Sequence, residues 1–429
     1  MKKFCIAAIA VASFACHRPL NKVPASAENV ITVAEVERIE RVLAADDMQG
    51  RKAGTPSIDK AAAFIEQEFA AAGLDKFQGL STYRQEFSLV QPKHISTTAT
   101  INGKEADKNI IVVITQQPEL TVTEQSGYEK GYIRSTDQLG ATARKFQSSG
   151  KNMIIVVDTA HRKNFGRLAG LRRPSEATSS SLIFILSDTD VNSFSITSKH
   201  SVNTIAYANV VGIIPGKSRK DEYVIFSGHY DHLGIGKPSP EGDSIYNGAN
   251  DDAAGTTAVM MLAKYFKQLN NNERTLIFVA FTAEESGGFG STYFSKQINA
   301  DKVMAMFNIE MIGTESKWGK NSAYITGFDK TDMGTMLQKS LEGTSFTFHP
   351  DPYTEEDLFY RSDNATLARL GVPAHTISTS KMDVEKYYHK PDDEIETLDI
   401  QNMTAIIKAI ALSSKGIISG IQTPTRVKN

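Results

Sequence analysis

The sequence predicts an α/β fold in three layers: a largely parallel, mixed sheet with helices on both faces and an inserted β-rich subdomain. Three observations predict it. After about residue 207, short apolar runs of strand character alternate with helical runs, the pattern of a parallel sheet covered on both sides. Several of those strand runs end on a histidine or an acid, as strands do at the carboxyl edge of such a sheet. Between about 91 and 206 the character changes to short β-like runs joined by Ser-, Thr-, Lys- and Arg-rich connections, with no convergent cluster of His, Asp and Glu.

The length of 429 residues suits two domains or one large α/β domain with insertions. Apolar content of 41% and charged content of 22% are ordinary for a globular chain. A formal net charge of −2 provides no basic field, so no nucleic-acid partner is expected. Residues 1–15 read as a signal peptide: Lys2 and Lys3 form a positive start, Phe4 to Val11 an apolar core, and Ser13-Phe14-Ala15 ends in a small residue before Cys16. This resembles a bacterial lipoprotein signal, with Ser13 where leucine is usual. One reading is membrane anchoring through a lipidated Cys16; the other is ordinary cleavage there or after Ala27. Both imply an exported protein, periplasmic, lipid-anchored to the bacterial envelope or secreted. Cys5 and Cys16 are the only cysteines, so the mature fold is expected to lack a disulfide and to rely on core burial and bound metal.

Taken in order, residues 16–30 are polar, carry Pro19 and Pro24, and read as a linker. Val33, Val36, Ile39, Val42 and Leu43 recur at helical spacing. After the turn-rich loop Gln49 to Pro56, Ser57 is the expected N-cap of a helix from Ile58 to Ala72, stopped by Gly73. The main domain is expected over 31–90 and 207–418, the insert over 91–206, and a flexible tail over 419–429. In the insert, Ile110 to Ile114, Met153 to Val157 and Leu182 to Leu186 are β-like. In the main domain, strands are expected at Tyr223 to Phe226, Thr275 to Phe281, Val303 to Ile309 and Ala374 to Ser378. Helices are expected at Ala253 to Leu269, Gly290 to Ile298, Asp363 to Leu370 and Ile400 to Ser413.

Five stretches carry the chemistry. Ser227 and Gly228 break the first strand and release His229-Tyr230-Asp231. A metal-binding imidazole needs an acceptor for its other nitrogen, and Asp231 is close enough to position His229 directly or through its backbone. His232 competes for the role but is read as a bystander. Asn250-Asp251-Asp252 precedes an amphipathic helix, where one aspartate can cap the helix while the other bridges two cations. Glu284 and Glu285 follow the apolar strand ending at Phe281; adjacent side chains diverge, so one can bind metal while the other faces a bound water as general base. Glu310 closes another apolar strand, where a buried acid needs a partner or a metal. His389 lies in the polar loop after the last strand, with Pro391 fixing the chain just beyond it. Each stretch alone has a plain structural reading, a polar loop or a helix cap. Together they supply nitrogen and oxygen donors that suit zinc.

With these stretches in this order, the sequence resembles the two-zinc, co-catalytic aminopeptidases, the group that includes glutamate carboxypeptidase II and the transferrin receptor. The resemblance covers roughly 28–90 and 207–418. It implies a zinc-peptidase or phosphorylase/hydrolase-like fold, two Zn2+ per chain and peptide substrates. It implies one zinc on His229 and Glu310, the other on Glu285 and His389, and Asp251 bridging them, with Asp252 following across what is often a cis peptide. Glu284 matches the general base, Asp231 the acid that supports the metal-binding histidine, and Tyr388 a tyrosine that in some members polarises the scissile carbonyl. The loop Gly50 to Pro56 resembles the family's N-terminal segment, and Arg361-Ser362-Asp363-Asn364 a segment near the active site. Two positions depart from the pattern: Glu310 stands where aspartate is common, and Asn364 where histidine is frequent. The 91–206 insert sits where a protease-associated insert would.

The reading is therefore an exported zinc aminopeptidase. Its rivals are a carboxypeptidase, dipeptidase or related amidohydrolase, which would need a cationic pocket from Arg361 or from Arg172 and Arg173, and a non-catalytic binding protein on the same fold. The complete ligand set and Glu284 weigh against the last.

Overall fold

The computed structural model describes residues 26–428. The expected signal peptide, Cys16 and most of the expected linker lie outside the described residues.

An eleven-stranded mixed sheet organises the chain. At its centre lie four parallel strands in the spatial order Ala374–Ser378, Val303–Ile309, Arg219–His229, Arg274–Phe281. Arg219–His229 comes first in sequence, yet it has one successor on each side. The chain order therefore reverses around it, and the crevice of a doubly wound sheet opens at the carboxyl ends of the strands flanking such a reversal.

Both faces of these strands are covered, which is why they read as continuous apolar runs. On one face Val224, Phe226, Phe278 and Phe307 pack under the helices Val33–Leu43, Pro56–Ala72, Ala254–Leu269 and Ile400–Ser413. Phe226 anchors this layer, with ring centroids 5.5 Å from Phe266, 5.5 Å from Phe278 and 4.9 Å from Phe307. On the other face Ile225, Ile277, Val279 and Met306 meet Phe294 of Phe289–Gln297 and Leu367 of Asn364–Ala368. The expected strands and helices of the main domain are present, with ends shifted by a few residues.

Several local expectations are corrected. Thr55, not Ser57, is the N-cap residue of the second long helix, because Pro56 takes the first helical position, where its fixed φ fits and its missing N–H costs nothing. The end of the expected linker is ordered: Ser26 and Asn29 form a capping box on the helical turn Ala27–Val30, and Ala27 and Val30 are buried. The expected flexible tail is tied down as far as Lys428 is described. Arg426 donates to Val303 O and Ala300 O, Val427 is buried, and Gln422 O and Thr423 Oγ1 accept from the buried Arg274.

The 91–206 boundaries fall inside two long antiparallel strands, Arg84–Ile101 and Phe194–Ile214. They run as a continuous ribbon from the main sheet into the insert, with one register shift between His94 and Ser96. The insert adds a four-stranded sheet in the order Ile111–Ile114, Leu182–Leu186, Met153–Val157, Glu129–Ile133, with apolar clusters on both faces. Beside these strands it contains the helix Leu139–Ser148 and the 3-10 stretch Thr159–Leu171.

Candidate metal centre

The four parallel strands end on one edge, and the potential ligands gather there. His229 is the last residue of Arg219–His229, Glu284 and Glu285 follow Arg274–Phe281, and Glu310 follows Val303–Ile309. Asp251 comes from the irregular turn Ala249–Ala253, which enters the helix Ala254–Leu269, and the Asp251–Asp252 peptide is cis. Ala283, Met311 and His389 all have positive φ without being glycine, so three of the corners that aim these side chains hold unfavourable backbone.

The donor atoms form two groups. One atom each from His229, Asp251 and Glu310 lies within 4.8 Å of the others, and the same holds for His232, Asp251 and Glu285. Asp251 belongs to both, the position a bridging carboxylate would take. His229 Nε2 is 3.3 Å from Asp251 Oδ1, and His389 Nε2 is 3.3 Å from Asp251 Oδ2 and 3.1 Å from Glu285 Oε2. The structure thus brings together His229, Asp251, Glu285, Glu310 and His389. It adds His232, whose Nδ1 is 2.9 Å from Glu285 Oε1 and whose side chain is fully enclosed. Read as a bystander from the sequence, His232 is instead carried by the turn after Asp231 to a place beside Glu285, where it is a further candidate ligand.

Backbone and side-chain bonds hold this arrangement. His229 Nδ1 lies 3.1 Å from Asp231 O and donates to that backbone carbonyl, leaving the Nε2 lone pair for the centre. Asp231 Oδ1 instead accepts the Glu284 N–H at 3.0 Å, so one aspartate orients both the imidazole and the glutamate turn. Asp252 accepts from the backbone N–H of His229, Gly255 and Met311, stitching three site segments together. Asp393 accepts from Asn250 N and Asp251 N. Beneath them the buried Arg51 donates to Leu43 O, Tyr230 O, Asn247 O and Gly248 O.

The cluster is short of positive charge. Burial pushes the Asp231 and Glu310 carboxyls up to about 7, against the pull of His229, and raises Glu284 well above its ordinary value. Burial acts the same way on Asp251, but His229 and His389 hold it below the usual carboxylate range. Burial would lower His389, yet Asp251 and Glu285 lift it to about 10. His229 Nε2, both His232 ring nitrogens, Asp251 Oδ2, Glu285 Oε1, Glu310 Oε2 and His389 Nε2 are buried without a hydrogen bond of regular geometry, although several approach one another as ion pairs. Buried polar atoms are rarely left so. A donor set of imidazole nitrogens and carboxylate oxygens converging in two groups fits a pair of zinc-type divalent cations.

A small cavity of about 80 Å³ opens onto the centre. Asp251, Glu284, Glu285, Glu310, Tyr388 and Arg361 are among its walls. The Tyr388 ring stacks on His389 at 3.8 Å. Arg361 faces the cavity but is paired with Glu356 at 3.0 Å. Asn364 serves packing: its amide donates to Phe359 O and Ala374 O, and its oxygen accepts from Thr376. Arg172 and Arg173 of the insert do not line this cavity; they line a separate cleft.

Residues 209–413 match the model of peptidase family M28. Aminopeptidase YwaD of Bacillus subtilis is 25% identical over 203 residues, which is 46% of this chain and 41% of that protein; the chain thus spans well under two thirds of that relative's length. Among solved structures, an aminopeptidase from Aneurinibacillus sp. strain AM-1 aligns with a TM-score of 0.53 at 18% identity, covering 90% of this chain and 94% of that one. The zinc aminopeptidase BSAP from Bacillus subtilis aligns with a TM-score of 0.52 at 16% identity, covering 92% and 97%. At those identities the likeness is one of fold.

Proposed function

We propose that this chain, whose residues 209–413 match the model of peptidase family M28, is a zinc-dependent aminopeptidase that removes N-terminal residues from peptides. The observation that carries the reading is the pair of donor groups sharing Asp251, with the Glu284 carboxylate beside them in the same cavity. His229 and Glu310 would hold one zinc, Glu285 with His389 and His232 the other, and Asp251 both. A zinc pair held by these residues would supply Lewis acidity toward a substrate carbonyl and a water. Glu284 would take the water's proton and return it to the leaving amine. Tyr388 would donate to the oxyanion from the cavity wall. Asp231 serves by holding the His229 imidazole and the Glu284 backbone in place. We take the N-terminal leader to export the chain to the envelope or beyond it.

Replacing Glu284 with Gln keeps the side-chain volume and removes the base. The expected result, with aminoacyl anilides as substrate and zinc content measured in parallel, is a kcat lower by about 100- to 10,000-fold at unchanged metal content. Turnover near wild type with both zincs retained sinks the assignment.

A further inference from the structure

A second cleft, of about 880 Å³, opens between the insert and the main sheet. That volume is in the range of built ligand sites. One wall is aromatic: Phe87 from the ribbon, and Phe289 and Tyr293 from the helix Phe289–Gln297, with Phe87 and Tyr293 stacked at 4.6 Å. The opposite wall carries Arg172 and Arg173 of the insert. Arg172 donates its Nε to Val113 O at 2.8 Å, and burial lowers the pKa of its guanidinium. Among the described residues neither arginine has a carboxylate partner. Lys296, at the rim, is neutralised by Glu176.

The cleft and the metal centre share the turn 284–289. Glu284 and Glu285 face the centre and Phe289 faces the cleft. Between them Ser286 and Gly287 are exposed. Gly287 has φ +120, and Arg173 Nη1 lies 3.9 Å from where a Cβ on it would stand. At Gly287 the shared turn thus presents bare, exposed backbone beside Arg173.

We propose that this cleft binds the C-terminal part of the peptide whose N-terminal residue occupies the metal centre, with a carboxylate on Arg172 and Arg173 and apolar side chains against the aromatic wall. The inference rests on the aminopeptidase reading and deepens it. Two guanidiniums suit a carboxylate because each presents a planar fork of donors, and aromatic faces suit side chains of varied shape.

Arg173 is exposed and unpaired, so Arg173→Ala leaves the fold and the metal centre untouched. The test compares wild type, R173A and R173K on aminoacyl anilides and on a length series from dipeptide to octapeptide with one N-terminal residue. Each peptide is made with a free or an amidated C-terminus, and one amidated set carries an internal glutamate. The expected result is a KM raised about tenfold in R173A for the longer peptides that bear a carboxylate, the size of a lost charge-assisted bond. Their kcat, and kcat/KM for anilides and for neutral amidated peptides, stay at wild-type levels, and R173K recovers part of the loss. Whether the free terminus or the internal glutamate responds identifies the carboxylate. Equal KM values for wild type and R173A across the series overturn the proposal. Equilibrium binding of a fluorescent octapeptide to the Glu284→Gln protein separates the two readings. Arginine-dependent binding without wild-type turnover of any substrate rejects the aminopeptidase reading, whereas turnover with arginine-independent binding rejects the cleft alone.

Discussion

Arg51 gathers carbonyls from three separate segments onto one guanidinium: Leu43 at a helix end, Tyr230 beside the metal-site histidine, and Asn247 with Gly248 just ahead of Asp251. Burial lowers its pKa, with Glu40 and Asp393 opposing that shift. Removing it strands buried acceptors and those two acids together. Arg51→Met is expected to lose about 3–5 kcal/mol in urea unfolding, and Arg51→Lys to recover only part, because an ammonium cannot reproduce the fork. At this scale the sequence was informative wherever an acid or an imidazole closed an apolar strand, since burial makes such a residue hard to explain otherwise. His229, Glu285 and Glu310 are of that kind. His232 was not legible, because two imidazoles follow the same strand and only the turn after Asp231 decides where the second goes. The role of Arg51 depends on carbonyls almost two hundred positions away in the chain.

Between elements, the helices Val33–Leu43 and Ala254–Leu269 are joined by a buried polar contact. Thr257 donates to Glu40, whose other oxygen has no partner. Burial pushes the Glu40 carboxyl up to about 8, opposed by the Thr257 bond and the charge on Arg51. The folded state thus keeps a proton that the unfolded chain releases near its ordinary value of 4.5, and stability falls as pH rises between those two values. Glu40→Gln removes this slope. Urea midpoints measured from about pH 5 to 8 are expected to fall less in the variant than in wild type; parallel curves would show that Glu40 does not carry the proton. The central strands were legible because they are uniformly apolar and bounded by turn signals. The ribbon strands were not: their outer halves are rich in Ser, Thr and Lys, since they pair along their length without being buried on both faces. The short strands Ser322–Ile325 and Thr347–Pro350 also escaped, being four residues each and too brief to show a period.

For the molecule as a whole, the acidic centre is a folding problem with a cation as its solution. Ions that bind the folded chain stabilise it by mass action, about 2.7 kcal/mol for a site held at a hundred times its dissociation constant. A calorimetric scan with chelator is expected to show a lower Tm than one with zinc added back, and the same Tm in both would mean that these donors do not hold metal. The layered architecture and the composition of the site could be anticipated from the chain. The route by which the insert joins the sheet could not, because it runs through strand pairing between residues about a hundred positions apart.

That pairing has a consequence for engineering. The chain leaves the main sheet along Arg84–Ile101 and returns beside itself along Phe194–Ile214, with Phe87 opposite Tyr207 and Val90 opposite Thr204. Everything beyond those pairs is an excursion whose two ends are already held together. A tight two-residue hairpin turn could close the ribbon just past Val90 and Thr204 without moving any of the four strands that end at the metal centre. The insert is in this sense a cassette, entered and left through one pair of neighbouring strands.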